Sequence, residues 1–194
     1  MWTDTDKAKF LSIHYTHFHS THPKYDEPGL MRNLQNGHIR DRKYGDIAYH
    51  YLVGVSGKIY EGRPLNVAPA SGTYYHSEKE MVDATYGSDG RLTSLIPGRI
   101  PGNTEGHITV SFNYGKNNFR TFPDNSMRKS ATFIAKVLVE NNLKPSDIRA
   151  HREVANSDCP GEFVYKWLRG SDMNRNGKGP GMKLIENEFA RISK

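Results

Sequence analysis

Strand-like alternation and helix-like periodicity take turns along this chain, which predicts an α/β fold with a mixed central sheet flanked by helices. Phe10 to Tyr15, FLSIHY, alternates as a short strand. Pro28 to Arg40 carries a broken apolar stripe of Leu30, Met31, Leu34 and Ile39, with Pro28 suited to a first helical turn and Gly37 weakening the end. Asp46 to Arg63, DIAYHYLVGVSGKIYEGR, alternates on either side of Ser56-Gly57. That hairpin signal places Tyr49 and Tyr51 on one face and His50 on the other. His107 to Tyr114 is again strand-like, with Ile108, Val110 and Phe112 on one side. Asp124 to Asn142 has the strongest helical spacing, through Ala131, Ile134, Ala135, Leu138 and Val139, and Asn125 or Ser126 stands where a cap belongs. Leu143 to Ala150 leads into a loop at His151, and Pro160 to Arg169 predicts a short helix. Met182 to Ile192 follows as an amphipathic terminal helix.

Residues 66–103 break this rhythm. Pro97, Gly98, Pro101 and Gly102 interrupt any period, so the stretch reads as a long loop, with 77–102 as an insertion. A chain of 194 residues suits one domain, placed at residues 1–170, followed by a glycine-rich linker and helix in 171–194. Hydrophobic residues at 36% and a mean hydropathy of -0.74 describe a polar chain. No apolar run nears the ~18 residues of a membrane span, and the opening MWTDTDKAKF shows no secretory signal. The 27 basic against 21 acidic residues leave +6, a bias toward polyanions that nucleic acid, anionic lipid and bacterial wall all satisfy. No basic run with interleaved aromatics appears, which argues against specific nucleic-acid binding.

The candidate chemistry sits in His151 to Pro160, HREVANSDCP, which contains the only cysteine. One thiol excludes an internal disulfide and leaves Cys159 as a ligand, a nucleophile or a packed hydrophobe. Imidazole and thiolate are both good zinc donors, and a catalytic zinc takes three protein ligands with a fourth position open. His151 and Cys159 supply two. The third candidate is His14, inside the first strand, ahead of His17, His19 and His22.

FLSIHYT, LQNGHIRDRKYGDIAYHYLVGVSGKIYEGR, HITVSFNYG and HREVANSDCPGEFVY, in this order, resemble the zinc N-acetylmuramoyl-L-alanine amidases of type 2. That group includes amidase-type phage lysozymes and animal peptidoglycan recognition proteins, and the resemblance runs from about Phe10 to Leu168. It implies Zn2+ held by His14, His151 and Cys159. It also implies that Tyr49 polarises the substrate carbonyl, and that Ser157 stands where active members carry lysine or threonine as a catalytic partner. The pattern departs at Ala48, where the family has glycine, and at the segment after the hairpin, where only Ser71 or His76 stands near the usual substrate-contacting histidine. His38 matches a family helix histidine. Glu153 reads either as an orienter of a zinc ligand or as a solvated carboxylate.

What the resemblance implies is cleavage between N-acetylmuramic acid and L-alanine in bacterial peptidoglycan, by a monomeric phage endolysin held in the host cytoplasm until it reaches the wall. The rival it implies is a recognition module that binds wall fragments without cutting them. Such members often lose the cysteine, which is present here.

Overall fold

The structure, a computed structural model, describes residues 8–16, 26–71, 85–93, 106–113 and 123–194. Its strands are β1 (Phe10–Tyr15), β2 (Tyr51–Val53), β3 (Ile59–Glu61), β4 (His107–Phe112) and β5 (Ile148–Ala150). Its helices are α1 (Glu27–Arg40), α2 (Asp124–Glu140), α3 (His151–Val154), α4 (Gly161–Arg169) and α5 (Pro180–Ile192). The strands form one mixed sheet in the order β3-β2-β4-β1-β5. β1 runs parallel to β4 and β5, β2 runs parallel to β4, and β3 is antiparallel to β2. Strands that run parallel in one sheet need crossovers rather than tight turns. One runs from β1 through α1 to β2, the other from β4 through α2 to β5.

Side-chain alternation sorts the two faces. The register from Phe10↔His107 to Tyr15↔Phe112 puts Leu11, Ile13, Tyr15, Ile108, Val110 and Phe112 on one face. Ala131, Ile134 and Leu138 of α2, Val164 and Leu168 of α4, and Met182 and Ile185 of α5 close over them in the main core. Each such apolar side chain contributes about 1.5–3 kcal/mol when fully buried. The terminal helix α5 packs on α2 and α4. The opposite face carries Ser12, His14, His107, Thr109 and Ser111, all buried despite being polar. There α1 covers the sheet through Met31 and Leu34 against Ile47 and Leu52. A buried polar face is costly unless its groups find partners.

The expected mixed α/β architecture is what the chain adopts, with differences at the edges. β5 has only three residues, too few to show a period, and is recognisable only by its pairing with Leu11 to Ile13. The expected loop at His151 opens instead with the helical turn α3. The hairpin strands are three residues each, turning at Gly57, whose φ of 78° suits glycine. Neither Asn125 nor Ser126 caps α2: the helix starts after Pro123, and the Ser126 hydroxyl donates to Val55 O (2.8 Å), tying helix to hairpin. Glu27 makes a second tie. Its carboxylate accepts from Ser56 N (3.1 Å), Ser56 Oγ (2.6 Å) and Tyr60 Oη (3.0 Å), and burial together with this carboxylate pushes the Tyr60 hydroxyl up to about 12.

Candidate metal centre

β1 ends and α3 begins at the same edge of the sheet, because β1 and β5 are parallel neighbours and His151 directly follows β5. His14, His151 and Cys159 therefore converge, with one donor atom from each lying within 4.8 Å of the others. The imidazole rings of His14 and His151 are 4.6 Å apart, and His14 Nδ1 stands 3.5 Å from Cys159 Sγ. Nitrogen and sulfur ligands at ~2.0–2.1 Å and ~2.3 Å around a tetrahedral ion lie about 3.3–3.7 Å apart. The His14–Cys159 pair already has that spacing. His151, half-buried at the start of a single helical turn, brings its donor to within 4.8 Å of the other two.

The surroundings orient the donors. The Ser12 hydroxyl points onward to Ile108 O at 3.5 Å, so its oxygen accepts the His14 Nε2–H at 3.0 Å. The Nδ1 lone pair is then aimed at the sulfur side. Cys159 Sγ accepts the Tyr15 N–H at 3.3 Å. Burial first, then the charges of His151 and His107, hold the His14 imidazole well below its ordinary range. Burial also pushes the Cys159 thiol up, against the weaker pull of the Tyr15 N–H and Arg152. Neutral imidazoles are what a metal wants, and a divalent cation reverses the thiol's preference by stabilising the thiolate. The donor set fits zinc.

Tyr49 lies beside this cluster. Its ring is 5.5 Å from that of His14 and its hydroxyl donates to Tyr15 O at 3.4 Å. Burial and the neighbouring Cys159 raise its pKa, so it stays a proton-bearing donor. His38 steers it from behind: His38 Nδ1 accepts Ala48 N–H at 3.0 Å, and its ring meets that of Tyr49 edge-on at 5.8 Å. Ser157 Oγ accepts the Cys159 N–H at 3.1 Å, which shapes the cysteine turn and leaves the hydroxyl hydrogen to donate elsewhere. Ser71 Oγ sits 3.5 Å from His107 Nε2. His17, His19, His22 and His76 lie outside the described residues, as do most of 77–102.

Over residues 4–162 the sequence matches the profile of the N-acetylmuramoyl-L-alanine amidase family. The chain belongs to this family. It is 28% identical over 146 residues to peptidoglycan-recognition protein SD of Drosophila melanogaster, covering 72% of this chain and 60% of that protein. This chain thus spans about 60% of the length of such relatives. The crystal structure of the Drosophila SD protein superposes with a TM-score of 0.59 at 22% identity, covering 84% of each chain. Human PGRP-Iβ C, solved in complex with a glycosamyl muramyl pentapeptide, gives 0.58 at 22%, covering 82% of each chain. These superpositions show that the amidase-family fold is shared.

In this amidase-family chain, two polar networks missed from sequence hold the ligand loop. Glu153 is fully buried rather than solvated. It accepts Ala150 N–H (2.9 Å), Tyr165 Oη (3.1 Å) and both Nε (2.7 Å) and Nη2 (2.9 Å) of Arg169, which also bonds Ile148 O. This fixes the backbone just before His151. On the other side, residues 85–93 of the expected insertion dock against the cysteine turn. Arg91 pairs with Asp158, Leu92 N donates to Arg152 O (2.8 Å), and Arg152 bonds Asp89 O (3.1 Å) and Asp158 O (2.6 Å). Gly90 lies against the Tyr165 hydroxyl with φ 73°, a place with no room for a side chain. Arg91 sits in the least periodic stretch, where no local signal marked it. The pairing of Glu153 with Arg169, sixteen residues on, follows from neither heptad nor strand spacing. Ser12 was also missed, although its place on the same strand face as His14 is a signal that could have marked it.

Proposed function

We propose that this chain is a zinc-dependent amidase that hydrolyses the bond between N-acetylmuramic acid and L-alanine in bacterial peptidoglycan. The observation that carries the reading is the convergence of His14, His151 and Cys159 on one point. Zinc held there would pull electron density from the scissile carbonyl and acidify water for attack. The protein's own groups do the rest. Ser12 keeps the His14 lone pair turned inward, and the Tyr15 N–H compensates charge on Cys159. Tyr49, kept protonated, donates to the oxygen that gains charge as the carbonyl is attacked. Ser157 has a hydroxyl hydrogen free for the same oxygen or for the departing amine.

The +6 charge suits an anionic wall, and release of phage progeny by wall lysis is the setting we assign. Chelation should abolish lysis of purified wall and zinc should restore it; full activity in metal-free protein would refute the reading. A second reading, a module that binds wall fragments without cutting, draws support from the relatives, which are named for peptidoglycan recognition. Digested wall separates the two: an amidase liberates stem peptides with free L-alanine amino groups, and a binding module liberates none.

A further inference from the structure

A cleft of about 280 Å³, distinct from the metal centre, opens between β5, the 3-10 turn Pro145–Asp147 and the segment entering α5. Its walls bring Arg149, Arg169, Arg175 and Lys178 together, with Glu186 the carboxylate that lines it. Two of the cations are already matched: Arg169 by buried Glu153, and Lys178 by Glu186 at 2.6 Å. Among the described residues, neither Arg149 nor Arg175 has a carboxylate oxygen within ion-pair distance, although the charges of Glu153 and Asp147 reach Arg149. The nearby Asp147 carboxylate is turned to the Lys144 N–H at 2.8 Å. Arg149 is half-buried, and both of its hydrogen bonds, to Ser146 O and Ile148 O, use Nη1, leaving Nη2 and Nε for another acceptor. Arg175 lies with its guanidinium over the Tyr86 ring at 4.8 Å, a stacking that leaves its N–H edge open.

Desolvation works against the charge on Arg149 most strongly; Glu153 supports it, Arg169 and Arg175 oppose it, and Asp147 supports it more weakly. Like charges gathered in a cleft cost free energy until an anion joins them. Donors arriving from separate elements ask for an acceptor with several oxygens in three dimensions. A tetrahedral phosphoryl group meets that demand, where a planar carboxylate offers two oxygens.

We propose that this cleft is a phosphoryl-binding site, built from Arg149 and Arg175 with Lys178 at its rim. The site is independent of the amidase reading. Amide shifts of the full chain during titration with inorganic phosphate, glycerophosphoglycerol and acetate test it. The expected result is saturable, salt-sensitive shifts at Arg149 and residues 175–178 with one or both phosphoryl probes. Arg175→Gln should weaken binding about tenfold or more, the loss of one charge-assisted contact, and Arg175→Lys should restore part of it. Response to inorganic phosphate alone identifies a free or terminal phosphate, and response to the diester an esterified one. The proposal is overturned if no probe saturates, if acetate matches phosphate, if shifts centre on His151 instead, or if Arg175→Gln leaves affinity unchanged.

Discussion

Replacing Glu153 by glutamine keeps the shape of the side chain and removes its charge, which isolates what the buried Glu153–Arg169 pair does. Arg169 is 8% exposed and Glu153 0%, so the variant leaves a guanidinium buried beside a neutral amide. Breaking one partner of a buried pair costs about 3–5 kcal/mol, because the remaining charge has lost both water and its counterion. Glutamine keeps one oxygen to accept, so the lower end of that range is expected. The Ala150 N–H loses its carboxylate acceptor in the same step, and Ala150 precedes His151. Loosening the backbone behind a ligand should weaken zinc binding about 10- to 100-fold, the usual range for groups that orient metal ligands. Urea denaturation with the slope monitored gives the first quantity, and competition with a zinc indicator gives the second. Pairing Glu153→Gln with Arg169→Met removes the orphan charge and should recover most of the stability without recovering the metal affinity. A loss below about 1 kcal/mol, together with unchanged zinc affinity, would show that the network neither stabilises the fold nor sets the ligand.

Tyr49→Phe should lower wall-hydrolysis turnover about 10²–10³-fold with zinc content unchanged, since it removes a donor to developing charge and no ligand; turnover within a few-fold of the parent would exclude that role. His50 is buried and neutral, its ring accepting Thr109 N–H at Nδ1 and donating to Val67 O from Nε2, and burial holds its pKa down to about 4. Because that value lies below the unfolded one, its contribution is complete above pH ~6.5 and is lost as pH falls toward 4, about 3 kcal/mol in all. His50→Gln should flatten the stability profile in that window, and a profile identical to the parent's would sink the assignment. Arg91→Ala breaks the tie to Asp158, whose partners are about one-third exposed, so global stability should fall by no more than about 1 kcal/mol. Hydrogen exchange across residues 85–93 and 155–159 should nevertheless accelerate, and unchanged exchange would show that the 85–93 segment does not brace the cysteine turn.

Legibility followed the range of the interaction. β1 and β4 were read to within two residues because period-two alternation is a local property of six consecutive positions. α2 was read from five apolar positions on one stripe and starts at Asp124 as expected, while its cap was misassigned because the Ser126 hydroxyl found a better partner in Val55 O, distant in sequence. The Asp46–His50 approach to the hairpin alternates like a strand but is held by side chains instead: Asp46 accepts from Gln35 (2.7 Å) and its neighbour Ile47 N (2.6 Å), and His50 bonds Thr109. Glu153 stayed open between an orienter of a zinc ligand and a solvated carboxylate for the same reason, since nothing near it in the chain announces Arg169.

By itself, the order of residues determined the longer secondary elements, the mixed α/β class and the membership of the amidase family, all of which depend on short-range periodicity or on the succession of motifs. It also offered His14, His151 and Cys159 as candidates by chemical type. Only the tertiary structure decided that these three meet, because their meeting depends on β1 and β5 lying side by side although they are separated by more than a hundred residues. It alone decided which carboxylates are buried, which arginines are matched, and that part of the unreadable 77–102 stretch braces the cysteine turn. Burial and pairing are properties of the packed chain, set by which surfaces exclude water together, and no window of sequence contains them.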